Sequence, residues 1–151
     1  MHQQTKNHAP SIFSVSAALN KIMSEYGFYA KSAGVNLVTI HVLELISASD
    51  EPYTQKELCE KLKQPKQLVN SIISTFWEQG YVELREAKDR RTKKVILTDK
   101  GKQYAIGILM PLHNAENTAL NCFSTEEISQ LIMAVEKYEK SLSSYFQNSL
   151  L

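Results

Sequence analysis

Five basic side chains fall within seven residues: Lys88, Arg90, Arg91, Lys93 and Lys94. Guanidinium and ammonium groups at that density, with no apolar residue among them, suit the phosphates of a polyanion or a narrow minor groove. The alternative is a solvated charged face. A second set lies about twenty residues earlier: Lys66, Gln67, Asn70, Ser71 and Ser74. On a helix these share one side, opposite Val69, Ile72, Ile73 and Phe76, and offer donors and acceptors to base edges and phosphates.

The charge distribution agrees with that chemistry. Residues 54–102 hold 12 Lys or Arg against 7 Asp or Glu, a local net charge of +5 in a chain whose total is +1. A basic centre between acidic flanks is the asymmetry expected of a chain whose middle meets nucleic acid. With 151 residues, 43% of them hydrophobic and 22% charged, the chain is of globular composition. No apolar run approaches the ~20 residues of a membrane span, so no membrane partner is expected. The two cysteines, Cys59 and Cys122, are too few for a disulfide scaffold and fit a reducing cytoplasm. Residues 1–10 read as a flexible polar arm.

The elements that position the two basic sets are legible from periodicity. Ile12, Val15, Leu19, Ile22, Tyr26 and Tyr29 form a heptad seam on a helix ending near Ala33-Gly34. Ile128, Leu131, Val135, Tyr138, Leu142 and Tyr145 repeat the rhythm at the other end, behind a Ser124/Glu127 capping box. Such narrow stripes pack lengthwise, either on each other or on a second chain. Between them lie an apolar helix over 37–47 and a short helix opened by the Thr54/Glu57 capping box, with Leu58 and Leu62 inward. The polar-faced helix follows, with Pro65 as its first residue and Gly80 closing it. Two strands, 81–85 and 94–97, flank the charged link, and Thr98 caps a helix to about Asn117 that buries Ala105, Ile108, Leu109 and Leu112. Pro111 should bend or interrupt that helix.

Two short helices, a tight turn and a basic hairpin make a winged helix-turn-helix. The expected fold is mainly α with a small β-wing. Residues 35–102 are expected to form the winged lobe, between terminal helical segments at 11–34 and 103–151 that would be dimerisation helices if they pack on a second chain. An enzyme is disfavoured, since the chain has no glycine-rich phosphate loop, no H-E-x-x-H and no G-x-S-x-G. His2, His8, His41 and His113 lack metal-site spacing, so no metal and no cofactor is expected.

The segment Asp89-Arg90-Arg91-Thr92-Lys93-Lys94-Val95-Ile96-Leu97-Thr98-Asp99-Lys100-Gly101 resembles the wing signature D-x-R-x(3)-V-x-L-T-x-x-G of the MarR family of bacterial and archaeal transcriptional regulators. Glu78-Gln79-Gly80-Tyr81-Val82 is similar to that family's recognition-helix exit, and the layout covers nearly the whole chain. The resemblance implies a homodimer that binds a pseudo-palindromic DNA operator, commonly as a repressor released by a small phenolic or lipophilic effector. It implies that Arg91 reaches the minor groove and that Asp89 orients it. Family effectors lie between the dimer helices and the lobe, where Tyr26, Tyr29 and His41 are the candidates; the bland reading makes them interface aromatics and a partly buried histidine.

Several positions depart from the family pattern. Ser71 replaces a basic or larger polar residue common there, and Gln64-Pro65 replaces a Ser- or Asp-type cap. Trp77 stands where a charge is frequent and is expected to pack under the wing or against the long helices. Cys59 and Cys122 read as small hydrophobes. The rival functions are a redox-responsive regulator using either cysteine, or a winged-helix module that binds protein and has no operator.

Overall fold

The computed structural model describes residues 11–86 and 92–149. Six helices and two strands follow in the order α1 (Ile12–Ser32), α2 (Leu37–Ala48), α3 (Gln55–Leu62), α4 (Lys66–Glu78), β1 (Val82–Glu86), β2 (Lys93–Leu97), α5 (Asp99–Leu120) and α6 (Thr125–Ser149). The expected wing-tip residues Lys88, Asp89, Arg90 and Arg91 and the arm 1–10 lie outside the described residues. The chain divides into two compact units, one ending at Met110 and the other beginning at Pro111.

The first unit is a winged lobe built on the inward faces predicted by periodicity. Ile40, Val42 and Leu43 of α2, Leu58 of α3, Val69 and Ile73 of α4, and Val95 of β2 are all shut off from solvent. Short-range signals set the helix starts. The Thr54 hydroxyl accepts from the Glu57 N–H, and the Glu57 carboxylate accepts from the Thr54 N–H at 2.7 Å. Lys63 ends α3 in the left-handed region at φ 50, and its N–H donates to the carbonyls of Cys59 and Glu60. Gly80, at φ 72, follows α4.

Three boundaries move by a residue or so. Pro65 is the N-cap of α4 rather than its first turn, so Lys66 opens the helix. The first strand starts at Val82, because Tyr81 turns inward onto an aromatic cluster, and it runs on to Glu86. The second starts at Lys93. The strands pair antiparallel from Val82 opposite Leu97 to Glu86 opposite Lys93. A bridge between Thr54 and Lys94, with the Val95 N–H donating to the Tyr53 carbonyl at 2.8 Å, ties the wing to the start of α3.

Helix α5 runs unbroken through Pro111, which lacks the N–H that would reach the Gly107 carbonyl. One turn position along, the Tyr29 hydroxyl donates to the Ile108 carbonyl at 2.5 Å. Ala105, Ile108, Leu109 and Leu112 are buried, as their spacing requires. In the second unit, Ser124 and Glu127 make their capping box, and α6 buries none of its residues.

Candidate nucleic-acid interface

The outward side of α4 is the centre of the site. With its core stripe fixed by Val69, Ile72, Ile73 and Phe76, the helix exposes Lys66, Gln67, Ser71 and Ser74. Asn70 differs from these. It is half-buried, and its Oδ1 is closed off from solvent with no hydrogen-bond partner. Trp77 differs from expectation in the opposite sense: 58% of it is exposed, on the flank that also carries Lys66 and Asn70. The core is already filled by Phe76, so its neighbour in sequence is turned outward.

The far end of α4 is held by contacts that reach into the start of α5. The Thr98 hydroxyl donates to the Gly80 carbonyl at 2.7 Å and accepts from the Gly101 N–H at 3.0 Å. The Lys100 ammonium donates to the Gln79 carbonyl at 2.7 Å and lies 5.1 Å from the Tyr81 ring centre. A cation there also suits the negative end of the α4 dipole. Tyr81 stacks on Tyr104 at 4.1 Å, with Phe76 edge-on to both. Burial beside Tyr81 pushes the Tyr104 phenol up. A Cβ on Gly101 would come 1.8 Å from the Tyr81 carbonyl oxygen, so the glycine of the wing signature is a steric requirement.

The described base of the wing carries part of the predicted charge. Lys93 is exposed and Lys94 half-buried. Arg85 pairs with Glu83 at 2.5 Å. The Thr54 N–H and hydroxyl hold the Glu57 carboxyl below its ordinary range, with smaller help from Lys94 and Lys61.

The residues proposed for an effector cleft lie elsewhere than the described cavity. Tyr26, Tyr29 and His41 are half-buried, and none of them lines it. This cavity, of about 440 Å³, is bounded by Gly34–Asn36 and Thr39, by Leu68, Ser71, Ile72, Thr75, Phe76 and Gln79 of α4, and by Tyr104. It combines residues from three places in the sequence, which no single motif could mark. Cys122 is exposed in the α5–α6 turn, its thiol donating to the Ala119 carbonyl, so it is not a buried hydrophobe. Cys59 is half-buried. Among the described residues, no three His, Cys, Asp or Glu side chains gather to hold a metal ion, and no helix is long and apolar enough to cross a membrane.

A polar helix held at its C-terminal end, beside a two-stranded wing, is the arrangement of a winged helix-turn-helix. The sequence model of the MarR family matches residues 33–92, covering the helix-turn-helix and the first strand. The transcriptional repressor MprA of Escherichia coli K12 is 25% identical over 133 residues, 87% of this chain and 76% of that protein. Among solved structures, a MarR family regulator from Neisseria meningitidis superposes with a TM-score of 0.78 at 22% identity, over 93% of this chain and 99% of that one. The DNA complex of MepR from Staphylococcus aureus gives 0.70 at 16% identity, over 89% and 99%. Residues 33–92 thus match the MarR family, and the chain shares the winged-helix fold of these regulators.

Proposed function

We propose that the protein is a cytoplasmic homodimeric repressor that binds a pseudo-palindromic operator and is released by a small molecule. The observation that carries this reading is the pairing of a polar, exposed α4 face with terminal helices whose apolar residues are uncovered. Val15, Ile22, Leu131, Val135, Leu142 and Tyr145 are all exposed in the single chain. Association of two copies along residues 11–34 and 103–151 would cover them and place two α4 helices on successive major-groove faces, roughly 10 bp apart. The MprA likeness supports repression, and the fold shared with DNA-bound MepR supports the docking mode.

The wing arginine rests on the family signature. Arg91 enters the minor groove and Asp89 orients its guanidinium, with Lys88, Arg90, Lys93 and Lys94 adding phosphate contacts. A small molecule acts by shifting the spacing between the two α4 helices, which weakens engagement of both half-sites together. The candidate residues for its cleft are Tyr26, Tyr29 and His41, on the family resemblance.

The test is fluorescence anisotropy with duplexes from upstream of the protein's own gene. Arg91→Ala is expected to weaken binding by roughly 1–3 kcal/mol while leaving the melting temperature unchanged. The logarithm of the association constant should fall linearly and steeply with the logarithm of salt concentration. Equal affinity of mutant and parent on every duplex would remove Arg91 from the interface.

A further inference from the structure

Which base α4 reads follows from which of its side chains are free to read one. The outward stripe directly opposite the core is Gln67, Ser71, Ser74 and Glu78, spaced four, three and four residues apart and exposed throughout. Helix α4 contains no arginine, and Lys66 at its first position is its sole cation. The commonest specific contact in the major groove, arginine on the O6 and N7 of guanine, is therefore absent from this helix.

Recognition of adenine needs a carboxamide with both ends available, the oxygen accepting from N6–H and the nitrogen donating to N7. The helix has two candidates. Asn70 cannot present both atoms, because its Oδ1 is buried. Gln67 is exposed, and among the described residues nothing holds its carboxamide. The hydroxyl of Thr75 is committed to the Ser71 carbonyl at 3.0 Å. Ser71 and Ser74 are short, so they let the helix lie close to the groove floor without reaching far across it.

The polarity of the helix agrees. Gln67 sits in the first turn, beside the positive end of the helix dipole and Lys66. Glu78 closes the stripe at the negative end, where a carboxylate repels phosphates. The N-terminal end enters deepest, as recognition helices generally do.

We propose that Gln67 is the principal base reader of α4 and takes adenine of one A·T pair in each half-site through the major-groove edge. This rests on the operator-binding reading above. The test is selection of bound duplexes from a randomised library with the full chain, comparing the parent with Gln67→Ala and Gln67→Arg. The parent should enrich sites with adenine at one position per half-site, and changing that base should weaken binding about tenfold or more. Gln67→Ala should level the preference there to within about twofold and leave the others standing, and Gln67→Arg should replace adenine by guanine. Both variants alter an exposed side chain, so their melting temperatures should match the parent.

An adenine preference that survives Gln67→Ala would overturn the assignment. So would a loss of affinity spread evenly over all positions, which would make Gln67 a phosphate contact. A parent that binds every duplex alike would overturn the operator reading itself, a result visible before any variant is made.

Discussion

The winged lobe and the last helix obey different packing rules. In the lobe, seven large apolar side chains from α2, α3, α4 and β2 lie below 2% exposure, so one chain supplies all the surface they need. Helix α6 carries apolar residues at regular heptad spacing, yet buries none: Leu131 is 48% exposed and Leu142 39%. Burying such side chains is worth about 1.5–3 kcal/mol each. Under the proposed assembly, this 25-residue helix would gain that burial from a second copy. A buried core in the lobe and an uncovered seam on α6 support the proposed split between a part that reads DNA and a part that assembles.

Leu131→Asp is the strongest way to break the comparison. If α6 is completed by a second copy, a carboxylate is desolvated without a partner in both copies at once, each at well over about 2 kcal/mol. Sedimentation should show monomer, with near-native circular dichroism from the lobe. A dimer of unchanged stability would mean that the α6 seam is not the assembling surface. Ile73→Ala tests the other side. It opens a cavity in a filled core and should lower stability by about 2–5 kcal/mol. Extrapolated to the folded dimer, that loss should be the same at every protein concentration, whereas the effect of α6 changes scales with it.

Gly101→Ala comes next in size. The new methyl group would stand 1.8 Å from the Tyr81 carbonyl oxygen, so the exit of α4 and the start of α5 have to separate. A loss of about 1–3 kcal/mol is expected, as for overpacking in a core. Operator affinity should fall with it, because Thr98 and Lys100 hold the end of the recognition helix from the same turn. Sedimentation should still show a dimer. Loss of dimer together with DNA binding would show that the two regions are not separable.

What the sequence revealed of these regions depended on the range of the interactions. The capping boxes of Thr54 and Ser124 and the inward faces of α2, α4 and α5 were legible, because each is fixed by residues within a few positions of one another. In sequence Tyr81 reads as a strand residue, because its stacking partner, Tyr104, is 23 residues away. Trp77 was expected to be covered, yet helical geometry turns it away from the stripe that Phe76 already fills. Asn70 and Gln67 look alike in a polar helix face; only burial of the Asn70 oxygen separates them. The same holds for the cavity beside α4, whose walls come from α1–α2, α4 and α5.

The smallest predicted effect gives the closest matched pair, since both regions start a helix with the same device. Thr54 with Glu57 opens α3, and Ser124 with Glu127 opens α6, each acid accepting from the backbone N–H of its cap and each cap hydroxyl accepting from the acid's own N–H. Those hydrogen bonds hold both carboxyls below the ordinary glutamate range. A depressed folded-state value means the capping contribution is complete above the unfolded value and fades as pH falls through the folded one. Thr54→Ala should therefore cost the lobe about 1 kcal/mol at neutral pH, and the difference from parent should shrink on acidification. In the lobe that loss is shared by the whole cooperative core, because Leu58 sits one turn inside the cap. In α6 nothing is buried behind the cap, so Ser124→Ala should appear as faster amide exchange confined to the first turn, with no shift in the lobe's melting temperature. Equal global destabilisation by the two substitutions would mean that α6 folds as one unit with the lobe.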